Sequence, residues 1–186
     1  MGRWEPNARG RLEQAALELY VERGFEQTTV AEIAKRAGLS ERTFFRHFAD
    51  KREVLFSGSL QDLLSNSIAA APASAAPIDA VATALESAAA LIQERPVYSR
   101  QRRAVIAANA GLQERELIKL ASLASGMAEA LRRRGVREPA ASLTAEAGIA
   151  VFKIAFEAWG AETDDRELTQ LIRESLEELK AVTAGK

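Results

Sequence analysis

Thr28–Lys51 reads TTVAEIAKRAGLSERTFFRHFADK. It opens on a capping box: the Thr29 hydroxyl at an N-cap and the Glu32 carboxylate three residues on, ahead of apolar residues. Val30, Ile33, Ala34 and Ala37 follow at helical spacing and make one narrow buried stripe. Gly38 stands where that helix must stop and the chain must turn, a place for a residue that tolerates positive φ. Leu39 anchors the turn, and Ser40 caps a second helix from Glu41 to Phe48. Asp50 and Glu53 read as a further capping box, which predicts a third helix from Asp50 to about Ala69.

The second helix has two faces. Phe44 and Phe48 are four apart and point together into a small core, leaving Glu41, Arg42, Phe45 and Arg46 on the other side. A phenylalanine on an exposed face is unfavourable unless covered, and a thymine methyl or a deoxyribose in the major groove would cover it. Between Lys35 and Arg52 stand six basic side chains (35, 36, 42, 46, 51 and 52) against two acids, Glu41 and Asp50. That local excess of four positive charges sits in a chain whose formal net charge is -1, and it suits phosphate contact. The bland reading is a small helical subdomain with a solvated basic face. The capping boxes, the glycine turn and the exposed aromatic together favour a helix-turn-helix that binds DNA.

From Arg11 to Phe56 the chain resembles the DNA-binding domain of the tetracycline-repressor (TetR) family of bacterial regulators. The residues that carry the resemblance are Gly24-Phe25, Thr28-Thr29-Val30, Ile33-Ala34, Ala37-Gly38-Leu39-Ser40, Thr43-Phe44-Phe45, His47-Phe48 and Lys51, without a gap. The resemblance implies an all-α fold with an N-terminal three-helix DNA-binding domain and a C-terminal bundle for ligand binding and dimerisation. It also implies a homodimer on a palindromic operator, repression as the default, and release by a small-molecule effector. Thr29, Thr43 and Lys51 match family positions that hold phosphates. Ser40, Glu41 and Arg42 match the start of the recognition helix, where base contacts arise. Phe45 matches a position that is often tyrosine, so only its apolar contact carries over; Arg46 takes a position that is often aromatic and supplies a charge instead. His47 is placed with these DNA-facing residues, its alternative being a packing residue beside Phe48.

The chain has 186 residues, of which 47% are hydrophobic, enough for one large or two small domains with a real core. Cysteine is absent, which excludes disulfides, cysteine zinc sites and thiol nucleophiles and fits a cytoplasmic location. His47 is the only histidine, so a histidine metal site is excluded as well. No apolar run approaches the roughly 20 residues of a membrane helix. The start, MGRWEPNARGR, lacks an apolar secretory region and reads as a polar arm carrying Arg3, Arg9 and Arg11, which either reaches a minor groove or is disordered over its first six or so residues. Without a glycine-rich phosphate loop, metal spacing or an acid–base pair, an enzyme is not expected, and no cofactor is. The rival to the regulator is a helical small-molecule-binding or adaptor protein whose basic face binds no specific DNA.

The remainder is helical almost throughout, and about nine helices with no strand are expected. The first helix runs from Ala8 to Arg23, with Leu12, Ala15, Ala16 and Leu19 inward. Residues 69–77, AAAPASAAP, are the one low-complexity break and read as a loop. Further helices are expected over 78–95, 97–108, 112–134, 139–159 and 164–182, the last opened by a capping box of Asp164 with Glu167. The domains are drawn at 1–53 for DNA binding and 54–186 for ligand binding and dimerisation. Ile149, Val151, Phe152, Ile154, Phe156 and Trp159 cover more than one face of their helix, and Leu168, Leu171, Ile172, Leu176 and Leu179 repeat the theme. These last two helices are expected to form the dimer interface, or else to pack only within the monomer.

For a ligand pocket the candidate walls are Tyr98, Met127, Phe152, Phe156 and Trp159, with Asn109, Ser122 and Ser125 as polar contacts. Arg95, Arg100, Arg102 and Arg103 form either an anion clamp, with Arg102 in the pocket, or a solvated face paired with Glu94, Glu114 and Glu116. The stretch from Arg95 to Arg103 and the one from Leu120 to Gly135 are similar to a branch of TetR-like regulators related to fatty-acyl ligands. Effector binding is then expected to shift the helix that starts at Asp50 and so to change the spacing of the recognition helices.

Overall fold

The computed structural model describes residues 7–56, 58, 60–161 and 166–185, and the described residues are helical with no strand. Nine α-helices are present among them: α1 Ala8–Arg23, α2 Val30–Arg36, α3 Glu41–His47, α4 Leu60–Ala70, α5 Pro77–Gln93, α6 Pro96–Ala107, α7 Ala110–Arg133, α8 Ala140–Ala161 and α9 Leu168–Thr183. No helix among the described residues is long and apolar enough to cross a membrane.

Packing sorts these helices into two units, residues 1–57 with 97–117, and residues 58–96 with 118–186. A cut at residue 53 therefore differs from the packing in two ways. Val54, Leu55 and Phe56 are buried with the rings of the N-terminal unit, and Val105, Ile106 and Leu112 return to the same core from α6 and the start of α7. Arg102 reinforces the return. Its Nε donates to the Leu55 carbonyl at 2.6 Å, and its guanidinium lies 5.1 Å from the Phe56 ring centre. Arg115 of α7 pairs with Glu53.

The helix expected from Asp50 to Ala69 is not continuous. A 3₁₀ turn, Glu53–Leu55, is followed by Phe56 at φ −115 and ψ 1, and α4 begins only at Leu60. Half of the expected capping box forms: Asp50 Oδ1 accepts from the Arg52 and Glu53 amides at 2.7 and 3.0 Å. The other half fails because the Glu53 carboxylate is taken by Arg115. At the start of the chain, Arg9 and Arg11 belong to α1 rather than to an arm, while residues 1–6, and Arg3 with them, lie outside the described residues. Asp164 lies outside them too, and α9 starts at Leu168 without a side-chain cap.

In the second unit α5 packs against α4, α8 and α9. Proline at the first position and a run of alanines make α5. Ala80, Ala84 and Ala88 recur every fourth residue and present a nearly flat face. Gly148 of α8 meets that helix so closely that a Cβ there would stand 2.5 Å from Val81 Cγ1. The loop after α4 is held by Arg134, which donates to the carbonyls of Ile68, Ala71 and Pro72 at 3.2, 2.5 and 2.8 Å. A guanidinium thus satisfies carbonyls that the end of α4 leaves open. Gly160 does not stop α8, which continues through Ala161.

Candidate nucleic-acid interface

Local codes shape α2 and α3 as the sequence predicts. Glu32 accepts from the Thr29 amide at 2.9 Å while Thr29 Oγ1 accepts from the Glu32 amide at 3.3 Å, which is the reciprocal capping box. The Thr29 amide, its hydroxyl and Arg23 hold the Glu32 carboxyl below its usual range. Gly38 turns the chain at φ +66, and Arg11 donates to the Ala37 carbonyl at the end of α2. A Cβ on Gly38 would lie 2.8 Å from that guanidinium, whose flexible end can move, so it is the positive φ that calls for glycine. Ser40 Oγ accepts from the Thr43 amide at 3.2 Å and shares a hydrogen bond with the Thr43 hydroxyl at 3.0 Å. Phe44 and Phe48 are buried, and they seat the helix.

Lys51 departs from the phosphate role expected of it. Its ammonium donates to the carbonyls of Phe25, Glu26 and Thr28 at 2.9, 3.2 and 3.0 Å, and it stands 4.4 Å from the Phe25 ring centre. An ammonium has three donors, and these bonds use all of them. Tyr20 closes the knot by donating its hydroxyl to the Lys51 carbonyl at 2.6 Å. Burial pushes the Tyr20 pKa up, so the hydroxyl remains a donor. Lys51 is a tie between the loop after α1 and the segment after α3. Thr29 is similarly engaged, its hydroxyl donating to Glu32 at 2.9 Å.

Ion pairing sorts the remaining cations. Arg36 donates to both Glu22 oxygens at 2.9 and 2.8 Å and reaches Glu18 at 3.4 Å. Arg52 pairs with Asp50 at 2.9 Å and Arg23 with Glu32 at 2.9 Å. Lys35, Arg42 and Arg46 are exposed, and their side chains have no hydrogen bond or ion pair among the described residues. Glu41 and His47 are exposed as well, the His47 ring standing 6.2 Å from Phe48. Phe45 is 56% exposed. The surface offered by α3 is thus Glu41, Arg42, Phe45, Arg46 and His47, with Ser40 and Thr43 at its start and Lys35 from α2. Lys35 was not singled out from the sequence as a contact residue. Lys35 and Arg36 are neighbours of the same type, and only the folded position of Glu18 and Glu22 decides which is neutralised.

The six expected pocket residues are divided between the two units. Tyr98 is packed against the core of the N-terminal unit, and Arg102 is bound to the Leu55 carbonyl and reaches Glu116 at 3.4 Å. Burial lowers the Arg102 pKa. Arg102 thus clasps the Leu55 carbonyl and Glu116 within its own unit. Met127 is fully buried among the α5, α7 and α8 side chains of the second unit. Phe152, Phe156 and Trp159 form a row along α8, with Phe152 stacked on Phe156 at 5.7 Å and Phe156 5.8 Å from Trp159. Asn109 spends its amide on the Val105 carbonyl at 2.7 Å.

Known proteins resemble both parts of the chain. Residues 13–57 match the family model described as bacterial regulatory proteins, tetR family, and residues 75–184 match that of the MftR C-terminal domain. The HTH-type transcriptional regulator TcmR of Streptomyces glaucescens is 36% identical over 81 residues, which cover 42% of this chain and 36% of that protein. The chain's matches to curated relatives thus span about a third of their length or less. Among solved structures, FadR from Bacillus subtilis in complex with stearoyl-CoA has a TM-score of 0.65 at 18% identity, with 92% of this chain and 97% of that chain covered. FadR of Thermus thermophilus, a transcriptional repressor in complex with lauroyl-CoA, has a TM-score of 0.53 at 24% identity, with 92% and 93% covered. The helix-turn-helix at the N-terminus, the helical second unit and these matches agree: the chain belongs to the TetR family of bacterial transcriptional regulators.

Proposed function

We propose that the protein is a ligand-responsive transcriptional regulator that lays α3 in the major groove of a palindromic operator, as a homodimer in the cytoplasm. The observation that carries this reading is the ion-pair pattern. Arg23, Arg36 and Arg52 of the N-terminal unit are matched to acids, while Lys35, Arg42 and Arg46 around α3 are left for another partner. Unmatched cations beside an exposed aromatic suit a polyanion with apolar groups on its edge.

The dimer is supported by α8. Leu143 and Ile154 are 65% and 61% exposed, and Ala147 and Ala150 lie between them on the same helical line. A self-complementary apolar stripe of this kind suits a two-fold contact between copies. Repression by steric block is the mode proposed, with release by a small effector. Long-chain acyl-CoA is the effector class to try first, on the strength of the FadR complexes and the aromatic row of α8.

The test is a titration of the protein against the DNA upstream of its own gene, at two salt concentrations with competitor DNA. Saturable binding that survives competitor, with two chains per pair of half-sites, is the expected result. Weak binding that disappears with salt and never discriminates between sequences would favour a helical binding protein with a merely solvated basic face.

A further inference from the structure

We infer that Phe45 is a specificity residue that selects a thymine in each half-site through its 5-methyl group. This rests on the reading of α3 as the recognition helix and adds which base edge the helix demands. The space behind the ring is taken. Phe44 behind it is fully buried, and the two rings meet edge to face at 5.4 Å and 82°. Phe44 is held in turn by Phe48, 5.4 Å away. Phe45 thus stands outward at the middle of the exposed face, with Arg42 one turn before it and Arg46 beside it.

The chemistry of the groove narrows what covers the ring. Phenylalanine lacks a hydroxyl and cannot hydrogen-bond a phosphate. Laid over the N7, O6, N4 or N6 edges of bases, it would strip water from polar atoms and return no hydrogen bond. The thymine methyl is the apolar group on the major-groove edge, and covering it removes apolar surface of both partners from water. Arg42 and Arg46 on either side supply the charge that brings the helix to the duplex, and Glu41, four residues before Phe45, disfavours seating the ring against a phosphate.

The experiment begins with duplexes enriched from a random library by the full-length protein at moderate salt. Each thymine of the bound duplex is then replaced singly by deoxyuridine, which removes only the methyl. One position per half-site is expected to lose about four-fold in affinity, the worth of one buried methyl. Phe45→Ala is expected to weaken binding to the parent duplex and to bind the thymine and uracil forms equally. Phe45→Leu, which keeps an apolar contact, is expected to retain part of the methyl dependence. Enriched duplexes on which no methyl matters, or a methyl effect that persists in Phe45→Ala, would overturn the assignment while leaving DNA recognition by α3 intact. Failure to enrich any duplex would overturn both.

Discussion

In the unit that carries α3, five rings fill the core: Tyr20, Phe25, Phe44, Phe48 and Phe56. Side chains then tie distant backbone together there, with Lys51 on three carbonyls, Arg11 on Ala37 and Arg102 on Leu55. In the other unit the core mixes leucine and isoleucine with many alanines, including Ala84, Ala88, Ala89, Ala124, Ala128, Ala141, Ala145 and Ala155, and Trp159 is the one buried ring in it among the described residues. The difference lies in where stability resides. Large rings hold the short α2 and α3, each only 7 residues long and unable to persist alone. Long helices such as α8, with 22 residues, need less from each contact and pack by close approach, as at Gly148. The first unit is therefore sensitive to removal of atoms, and the second to addition of them.

The harshest way to break this comparison is to separate residues 1–57 from the rest. That fragment keeps α1 to α3 but loses Val105, Ile106, Leu112 and the Arg102 clasp. It is expected to show no cooperative thermal transition by circular dichroism, and a sharp transition would show that the returning segment is dispensable. Next comes Phe44→Ala, expected to cost about 3–5 kcal/mol in urea unfolding, since a fully buried ring leaves a cavity among other rings. A loss below about 1 kcal/mol would mean that the rings do not hold this unit.

Lys51→Met comes third, at about 2–3 kcal/mol, for the loss of charged hydrogen bonds to carbonyls. The salt dependence of DNA binding sharpens this one. Arg46→Ala is expected to lower the slope by about one, whereas Lys51→Met is expected to act chiefly on stability. A large slope change with unchanged stability would return Lys51 to the phosphates. The smallest effect is Gly148→Ala, about 2 kcal/mol, because the new methyl would meet Val81 and α5 must yield. A neutral result would show that the second unit has slack where Gly148 meets α5.

Much of the recognition element was legible because its signals are local. Thr29 with Glu32, Gly38, and Ser40 with Thr43 act over three residues or fewer, and each is where the sequence predicts. Lys51 shows why the rest was not. Its partners are carbonyls of residues 25, 26 and 28, and a carbonyl has no letter in a sequence. The Leu55 contact of Arg102 was hidden for the same reason, since an arginine bound to a carbonyl reads in sequence like one waiting for an anion. The missing first turns of the helix expected at Asp50 have a competitive cause: Glu53 had two suitable partners, and the tertiary one, Arg115, took it. The helix pivot expected from a continuous Asp50–Ala69 rod loses its structural motive with that break.

The return of residues 97–117 to the N-terminal unit also matters while the protein is being made. The ribosome releases α1, α2 and α3 first, but the core beneath α3 stays incomplete until Val105, Ile106 and Leu112 emerge. A nascent chain therefore carries the whole reading surface for some time without a firm seat for it. A product that terminates between residues 57 and 97 contains every residue of that surface, yet would be a poor competitor for the operator. The order of synthesis thus makes DNA occupancy the privilege of chains that have already gone well past their own recognition helix.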